Sequence, residues 1–273
     1  MDILSKLYTG SSQQAINDII SHRNKHNHCV VHFLYFANAI KNNLLSVTLS
    51  ETRSIEDKKE NNSHTSPSSQ LSKGQGYYDS LLASDFLLPD GIALQIFYAI
   101  AVSIGRVSSQ RKRLANCNGT DLTLPLLQAL PKDAQIHLYG TTTSVIKKAA
   151  DFLRMQDITP ASIADGYSDF DWSQMDIKQK NILLIGRGTP LQELRVAQNM
   201  QQIKKYKILV LSVGGLFDFW GGEEKRTPAV FRGWAERLRR LCVNPRKNAI
   251  KVRYSLSLPY TIVHHLLLKR YKS

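Results

Sequence analysis

At 273 residues, with 42% hydrophobic and 21% charged residues, the chain has material for one large domain or for a domain with an appendage. Cys29, Cys117 and Cys242 lie far apart and show no CxxC spacing, which speaks against a disulfide framework or a zinc site and for a reducing, cytoplasmic compartment. The net charge of +14 asks for a polyanionic partner, whether nucleic acid, anionic lipid or a phosphorylated substrate.

The first 28 residues read as a solvated N-terminal helix with His22, His26 and His28 near its end. Metal-ligand spacing exists there, but no acid or cysteine pattern along the sequence goes with it. No basic stretch followed by an apolar run marks a signal peptide, and no apolar run approaches the roughly 18 residues of a membrane span. Residues 30–39 (VVHFLYFANA) are expected to form a buried strand ending at Asn38. Residues 50–76 are rich in Ser, Asn, Lys and Glu without apolar periodicity, and are expected to be a flexible insertion or lid. An apolar run then leads into Leu87-Leu88-Pro89-Asp90-Gly91-Ile92, and an apolar helix leaves it. Pro89 and Gly91 turn the chain sharply, so Asp90 stands between the two elements. A carboxylate there can cap the helix; beside a glycine that lets a ligand approach, it can also be a general base.

Beyond a basic loop (Arg106, Arg111, Lys112, Arg113), a helix begins near Thr120 and stops at Pro131. Three strand–glycine units follow. Residues 135–139 run into Gly140 and a helix over 145–155, residues 181–185 into Gly186-Arg187-Gly188-Thr189-Pro190 and a helix over 191–202, and residues 207–213 into Gly214-Gly215. Short continuous apolar strands alternating with amphipathic helices predict an α/β fold, a Rossmann-like and mostly parallel sheet with helices on both faces. Ligands bind such sheets beyond the carboxyl ends of the strands, and glycines there can leave N–H groups at helix N-termini open to a nucleotide diphosphate. The third glycine of a dinucleotide fingerprint is missing after Gly188, and no GxxxxGK[ST] occurs, which disfavours dehydrogenases, kinases and ATPases.

Residues 221–273 hold 13 lysines and arginines against three acids. A helix starting at Thr227-Pro228 carries Val230, Phe231, Trp234 and Leu238 on one face, residues 250–256 alternate like a strand, and residues 260–272 are again one-sidedly apolar. The expected division is a Rossmann-like domain over residues 1–220 and a basic helical C-terminal appendage over 221–273 that contacts an anionic membrane surface. Nucleic acid is not an expected partner, because no recognition motif is present and the aromatic spacing fits helix packing. Asp169-Phe170-Asp171 has the spacing of a cation-binding Asp-x-Asp but sits in a polar turn, so no metal is expected there. There is no GxSxG, and no second acid is placed to pair with Asp90 for glycoside hydrolysis.

One ordered series stands out: Leu88-Pro89-Asp90-Gly91-Ile92, Gly119-Thr120-Asp121, Gly186-x-Gly188-x-Pro190-x-Gln192-Glu193, Gly214-Gly215-x-Phe217-Asp218-Phe219, Arg226-x-Pro228, Gly233-Trp234-x-Glu236, Arg240 and Pro245-Arg246. The series resembles the WecG/TagA/CpsF glycosyltransferases, bacterial enzymes of surface-polysaccharide and wall-polymer assembly. The chain differs in Phe36, where the family often carries threonine, in the added Asn116-Cys117-Asn118, and in Lys247 at an appendage arginine.

The resemblance implies inverting transfer of a hexose or N-acetylhexosamine, N-acetylmannosamine-like or glucose, from a UDP-sugar to a sugar on a polyprenyl-diphosphate carrier. The reaction would need no metal or other cofactor and would take place at the inner face of the membrane, with homo-oligomers common. Asp90 maps to the general base, and Asn38 and Gln192 to residues positioning sugar hydroxyls. Gly91, Thr120, Asp121, Gly140, Gly186, Gly188, Pro190, Glu193, Gly214, Gly215 and Asp218 fall on the motifs that would surround the substrates. Arg240, with Arg237 and Arg246, would stabilise the departing diphosphate. The competing expectation is a catalytically inactive nucleotide-sugar or polyanion-binding protein of the same fold.

Overall fold

The computed structural model describes residues 3–42, 44, 68–223 and 257–267. Six strands form one sheet: β1 (Cys29–Tyr35), β2 (Phe86–Asp90), β3 (Gln135–Gly140), β4 (Ser162–Ala164), β5 (Asn181–Gly186) and β6 (Leu209–Ser212), in the order β2-β1-β6-β5-β3-β4. Every pairing is parallel. The apolar runs decide this: β5 and β6 are buried along their whole length and β1 up to its last residue, as strands covered on both faces must be.

Helices cover both faces. One face packs Val31, Phe33, Leu184 and Leu211 against α2 (Ser12–His26), α6 (Gly119–Ala129), α7 (Thr143–Arg154) and α10 (Leu216–Trp220). The other packs Leu34 and Leu87 against α1 (Ile3–Lys6), α3 (Phe36–Lys41), α4 (Ser68–Ala83) and α5 (Ile92–Ser103), and Val30, Leu183 and Val210 against α8 (Leu191–Gln198) and α9 (Met200–Lys205). Caps set several of these starts. Ser11 and Gln14 form a reciprocal capping box on α2, and the Thr142 hydroxyl accepts from Val145 N–H at the start of α7.

Five expectations change. The first 28 residues, expected as a solvated helix, form α1 and α2, which bury Ile3, Leu4, Ala15, Ile16 and Ile19 in the core. The first strand stops at Tyr35, where its partner β2 also ends, and the chain turns at once into α3; Asn38 lies on that helix rather than on a strand. Phe36 is fully buried against Phe97, and that apolar anchor ends the strand. Helix α4 begins at Ser68, inside the stretch expected to lack packed structure, because Tyr77, Tyr78 and Leu81 give its second half an apolar face. The helix expected over 191–202 breaks at Asn199 into α8 and α9. The short β4, too brief to carry a strand pattern, also extends the sheet by one edge.

The C-terminal segment is described only from residue 257. Helix α11 (Leu258–Thr261) continues as a π-helix over Ile262–Leu267, and Leu258, Ile262 and Leu266 pack on the α5 side of the core. The amphipathic helix expected from Thr227, the strand-like alternation over 250–256, Arg237, Arg240 and Arg246 lie outside the described residues, as does most of the expected insertion.

Candidate functional site

Strand order creates a crevice. The chain leaving β1 runs toward β2 at one edge, whereas the chain leaving β6 enters α10, which packs on α7 toward the other side. Connections diverging from adjacent parallel strands leave an opening above their carboxyl ends. Asp90 and Asn38 come to one side of it, and Gly214 and Gly215 to the other.

Asp90 is the last residue of β2, opposite Tyr35 at the end of β1, and is half-buried. The N-cap position of α5 falls on Gly91, one residue after Asp90. Gly91 has φ of 91°, and a Cβ there would come within 3.1 Å of the Tyr35 ring, so the turn that presents Asp90 requires glycine. The turn is clamped by residues that sequence reasoning passed over. Gly91 N–H donates to Asn116 Oδ1 at 3.0 Å, and Cys117 N–H donates to Pro89 O at 3.0 Å. Asn118 caps α6, accepting from Asp121 N–H at 2.8 Å and donating to the Asp121 carboxylate at 2.9 Å. The added Asn116-Cys117-Asn118 thus holds the Pro-Asp-Gly turn and the Gly119-Thr120-Asp121 turn together. An asparagine pair flanking a buried cysteine just before a helix was the available signal.

The motif glycines separate into two kinds. Gly140 and Gly186 face each other across β3 and β5, where a Cβ on Gly140 would overlap the Gly186 carbonyl. A Cβ on Gly186 would lie 2.6 Å from the Phe217 ring and 2.8 Å from Gly214 O. Both glycines are buried, and Thr141 N–H donates to Gly186 O at 3.1 Å, so they serve close backbone packing rather than ligand contact. Gly188 and Gly214, at φ of 75° and 57°, have open space where a Cβ would stand among the described residues, and Gly215 is exposed. These three are the glycines a ligand can approach.

Gln192 and Glu193, expected at the substrate, are 2% and 0% exposed. Gln192 Nε2 donates to Glu193 Oε1 at 2.9 Å and to Ser212 O at 3.2 Å, while its Oε1 accepts Gly214 N–H at 3.1 Å. Thr189, joined to Pro190 by a cis peptide, donates its hydroxyl to Glu193 Oε1 at 2.9 Å. Burial pushes the Glu193 carboxyl above its usual range, with hydrogen bonds from Gln192 and Thr189 opposing the rise. Glu193 Oε2 and the Tyr77 hydroxyl on α4 are buried without partners among the described residues. The pair therefore sits beneath the mouth, joining the loop after β5 to the loop after β6.

The remaining positions are peripheral to the crevice or committed. Asp218 Oδ1 accepts the Thr141 hydroxyl at 3.0 Å, tying α10 to the turn after β3. Thr120 is half-buried and Asp121 exposed in the first turn of α6. Arg187, to which the sequence assigned no role, stands in the loop after β5, donating to the Tyr139 hydroxyl at 3.1 Å with its guanidinium 5.5 Å from that ring's centre. Asp171 caps the short 3-10 turn Trp172–Gln174, and Asp169 pairs with Arg195. A carboxylate at a strand end and open glycine backbone after β5 and β6 suit attack by a hydroxyl on a substrate that carries a diphosphate.

Residues 61–273 match the Glycosyl transferase WecG/TagA/CpsF family. The chain is 30% identical over 184 residues to the N-acetylglucosaminyldiphosphoundecaprenol N-acetyl-beta-D-mannosaminyltransferase of Bacillus subtilis (strain 168), across 63% of this chain and 66% of that protein. It is 31% identical over 197 residues to the protein of the same description from Bacillus spizizenii, across 67% of this chain and 68% of the relative. The match thus spans about two thirds of the relatives' own length.

Proposed function

The chain belongs to the WecG/TagA/CpsF family of glycosyltransferases, and on that premise we propose that it transfers a sugar from a UDP-sugar to a polyprenyl-diphosphate-linked sugar with inversion. N-Acetylmannosamine is the first donor sugar to test and N-acetylglucosaminyl-diphosphoundecaprenol the first acceptor, since both relatives are described by that reaction. The observation that carries the proposal is the placement of Asp90 at the end of β2, on a glycine turn pinned by Asn116, beside the crevice between β1 and β6.

In the proposed step Asp90 takes the proton of the acceptor hydroxyl. The hydroxyl oxygen then bonds to the anomeric carbon from the face opposite UDP, and the anomeric carbon–oxygen bond breaks with its electron pair leaving on UDP. Asn38, one turn into α3 from the partner strand, is assigned to a sugar hydroxyl. Gly188, Gly214 and Gly215 line the side assigned to the diphosphate. Arg187, and from the appendage Arg237, Arg240 and Arg246, supply the cationic charge in place of a metal. Gln192 and Glu193 act through the backbone they hold. Attachment of the enzyme to the inner face of the membrane is part of the proposal. It is supported by Ile92 and Ile96, four residues apart and 48% and 43% exposed on the helix that follows Asp90. Among the described residues, no helix is long and apolar enough to cross a membrane.

A donor screen tests the reading. UDP release is measured with UDP-N-acetylmannosamine, UDP-N-acetylglucosamine and UDP-glucose, each with a short-chain lipid-diphosphate N-acetylglucosamine acceptor. Acceptor-dependent release from one donor is the expected result; tight UDP binding with no turnover on any donor would establish the inactive binding protein instead.

A further inference from the structure

Far from Asp90, the fold completes a constellation that the sequence left incomplete. His22 lies in the last turns of α2, Cys29 is the first residue of β1, and Asp85 immediately precedes β2. Asn27, with φ of 62°, ends α2 and turns the chain directly into β1, and the parallel register that pairs Val31 with Phe86 brings Asp85 beside Val30. Asp85 is held there from both sides. Its N–H donates to Val30 O at 3.0 Å, and its Oδ2 accepts Val30 N–H at 2.7 Å. That leaves Oδ1 directed at His22 Nε2, 3.2 Å away. The His22 ring is fixed in turn by the edge of contact with Phe86 and by the His26 ring, at centroid distances of 5.6 Å and 4.3 Å. The Cys29 sulfur joins them, so that the three ligand atoms all lie within 4.8 Å of one another.

We propose that His22, Cys29 and Asp85 form a site for a zinc-type divalent cation that ties α2 to the first two strands. Nitrogen, sulfur and carboxylate oxygen are the ligand set of zinc. At bond lengths of roughly 2.0–2.3 Å, tetrahedral ligands stand roughly 3.3–3.7 Å apart, close to the separation of the nitrogen and oxygen here. Cys29 is fully buried while His22 and Asp85 are partly exposed, so the cation reaches the thiol through the polar side and water completes its coordination. Burial, with Asp85 beside it, holds the Cys29 thiol above its usual range, so the cation has to displace the thiol proton as it binds. The site stands at the amino ends of the strands, roughly 16 Å from Asp90 by strand rise over five residues, so its role is structural and separate from the transfer chemistry.

Cobalt titration of the full chain, cleared of metal with a chelator, tests this. Bound Co²⁺ should give tetrahedral d–d bands together with a thiolate-to-metal charge-transfer band. Zn²⁺ should displace it, and zinc at one hundred times its Kd should shift the unfolding equilibrium about 100-fold toward the folded state. Cys29→Ser should abolish the charge-transfer band and Asp85→Asn should weaken binding, with Cys117→Ser leaving both unchanged. A wild-type cobalt spectrum lacking the thiolate band, or unfolding indifferent to zinc, would overturn the site and leave a hydrogen-bonded His22–Asp85 pair. The wild-type measurement decides even if a variant fails to fold. Because it reads no turnover, its outcome is independent of the transferase proposal.

Discussion

Gln192 holds the backbone N–H of Gly214 at 3.1 Å, and through that one bond the loop after β5 sets the position of the loop after β6. Replacing Gln192 with Ala takes the partner from Gly214 N–H, the amide donor from buried Ser212 O, and one of the two donors from buried Glu193 Oε1, which keeps only Thr189. The expected cost is about 1–3 kcal/mol of stability, read from urea unfolding, together with a fall in UDP release. A variant within about 0.5 kcal/mol of wild type would show that the amide does not tie the loops.

Asp90→Asn keeps the shape of the side chain but cannot accept the acceptor's proton. Turnover should fall by about 10²–10⁴-fold while the thermal midpoint and UDP affinity stay near wild type. Undiminished turnover would remove Asp90 from the mechanism.

Gly91→Ala meets two obstacles, a φ of 91° and a Tyr35 ring carbon 3.1 Å from the new methyl. A loss of about 1–3 kcal/mol is expected from the backbone conformation. Tyr35→Leu in the same chain should recover the ring-contact part alone, so the double variant should unfold later than Gly91→Ala but earlier than wild type. Equal stability of the single variant and wild type would contradict the turn described.

The two classes of glycine should separate in a stability measurement. In Gly140→Ala the methyl overlaps a carbonyl of the neighbouring strand, which cannot move aside as a flexible side chain would; a loss of at least about 3 kcal/mol is expected. Gly188→Ala opens into free space and should cost only about 1–2 kcal/mol for its positive φ. Its larger effect should be on the KM for the UDP-sugar.

His32 is fully enclosed on β1, its Nδ1 2.9 Å from the Ser212 hydroxyl, and burial lowers its pKa from 6.5 to about 3. His137, between Ser162 and Asn181, is lowered for the same reason. Between pH 6.5 and about 3 the unfolded chain binds the His32 proton and the folded chain does not. Stability is therefore complete above the unfolded value and falls as pH drops, by up to about 1.4 kcal/mol per pH unit for each histidine. Glu193, raised by burial, works oppositely: its contribution is largest at acid pH and declines as pH rises above 4.5 toward its folded value. Urea midpoints between pH 4 and 8 should show His32→Gln flattening the acid limb; a slope equal to wild type would mean that the histidine is not held neutral.

Much of the fold follows from local pattern. Residues such as those of β5 and β6 are apolar without interruption because both of their faces are covered, and that burial is written directly in the residues. Asp90 was visible for a similar reason, since Pro89 and Gly91 mark a turn by their own backbone chemistry. Asn38 was misplaced because the buried Phe36 continues an apolar strand pattern even after the backbone has become helical. Gln192 and Glu193 look like polar residues facing a substrate; their burial depends on carbonyl and amide groups delivered by β6, twenty residues later.

By itself, then, the sequence determined the alternation of apolar strands and helices, the turn that isolates Asp90, and the family to which the chain belongs. These depend on residues close in the chain, or on their order along it. Tertiary structure alone decided which glycines are packed and which are open, which polar side chains reach the crevice, and that Cys29 and Asp85 meet His22. Each of those depends on which strands lie side by side and where their loops end, and that brings together residues far apart in the chain.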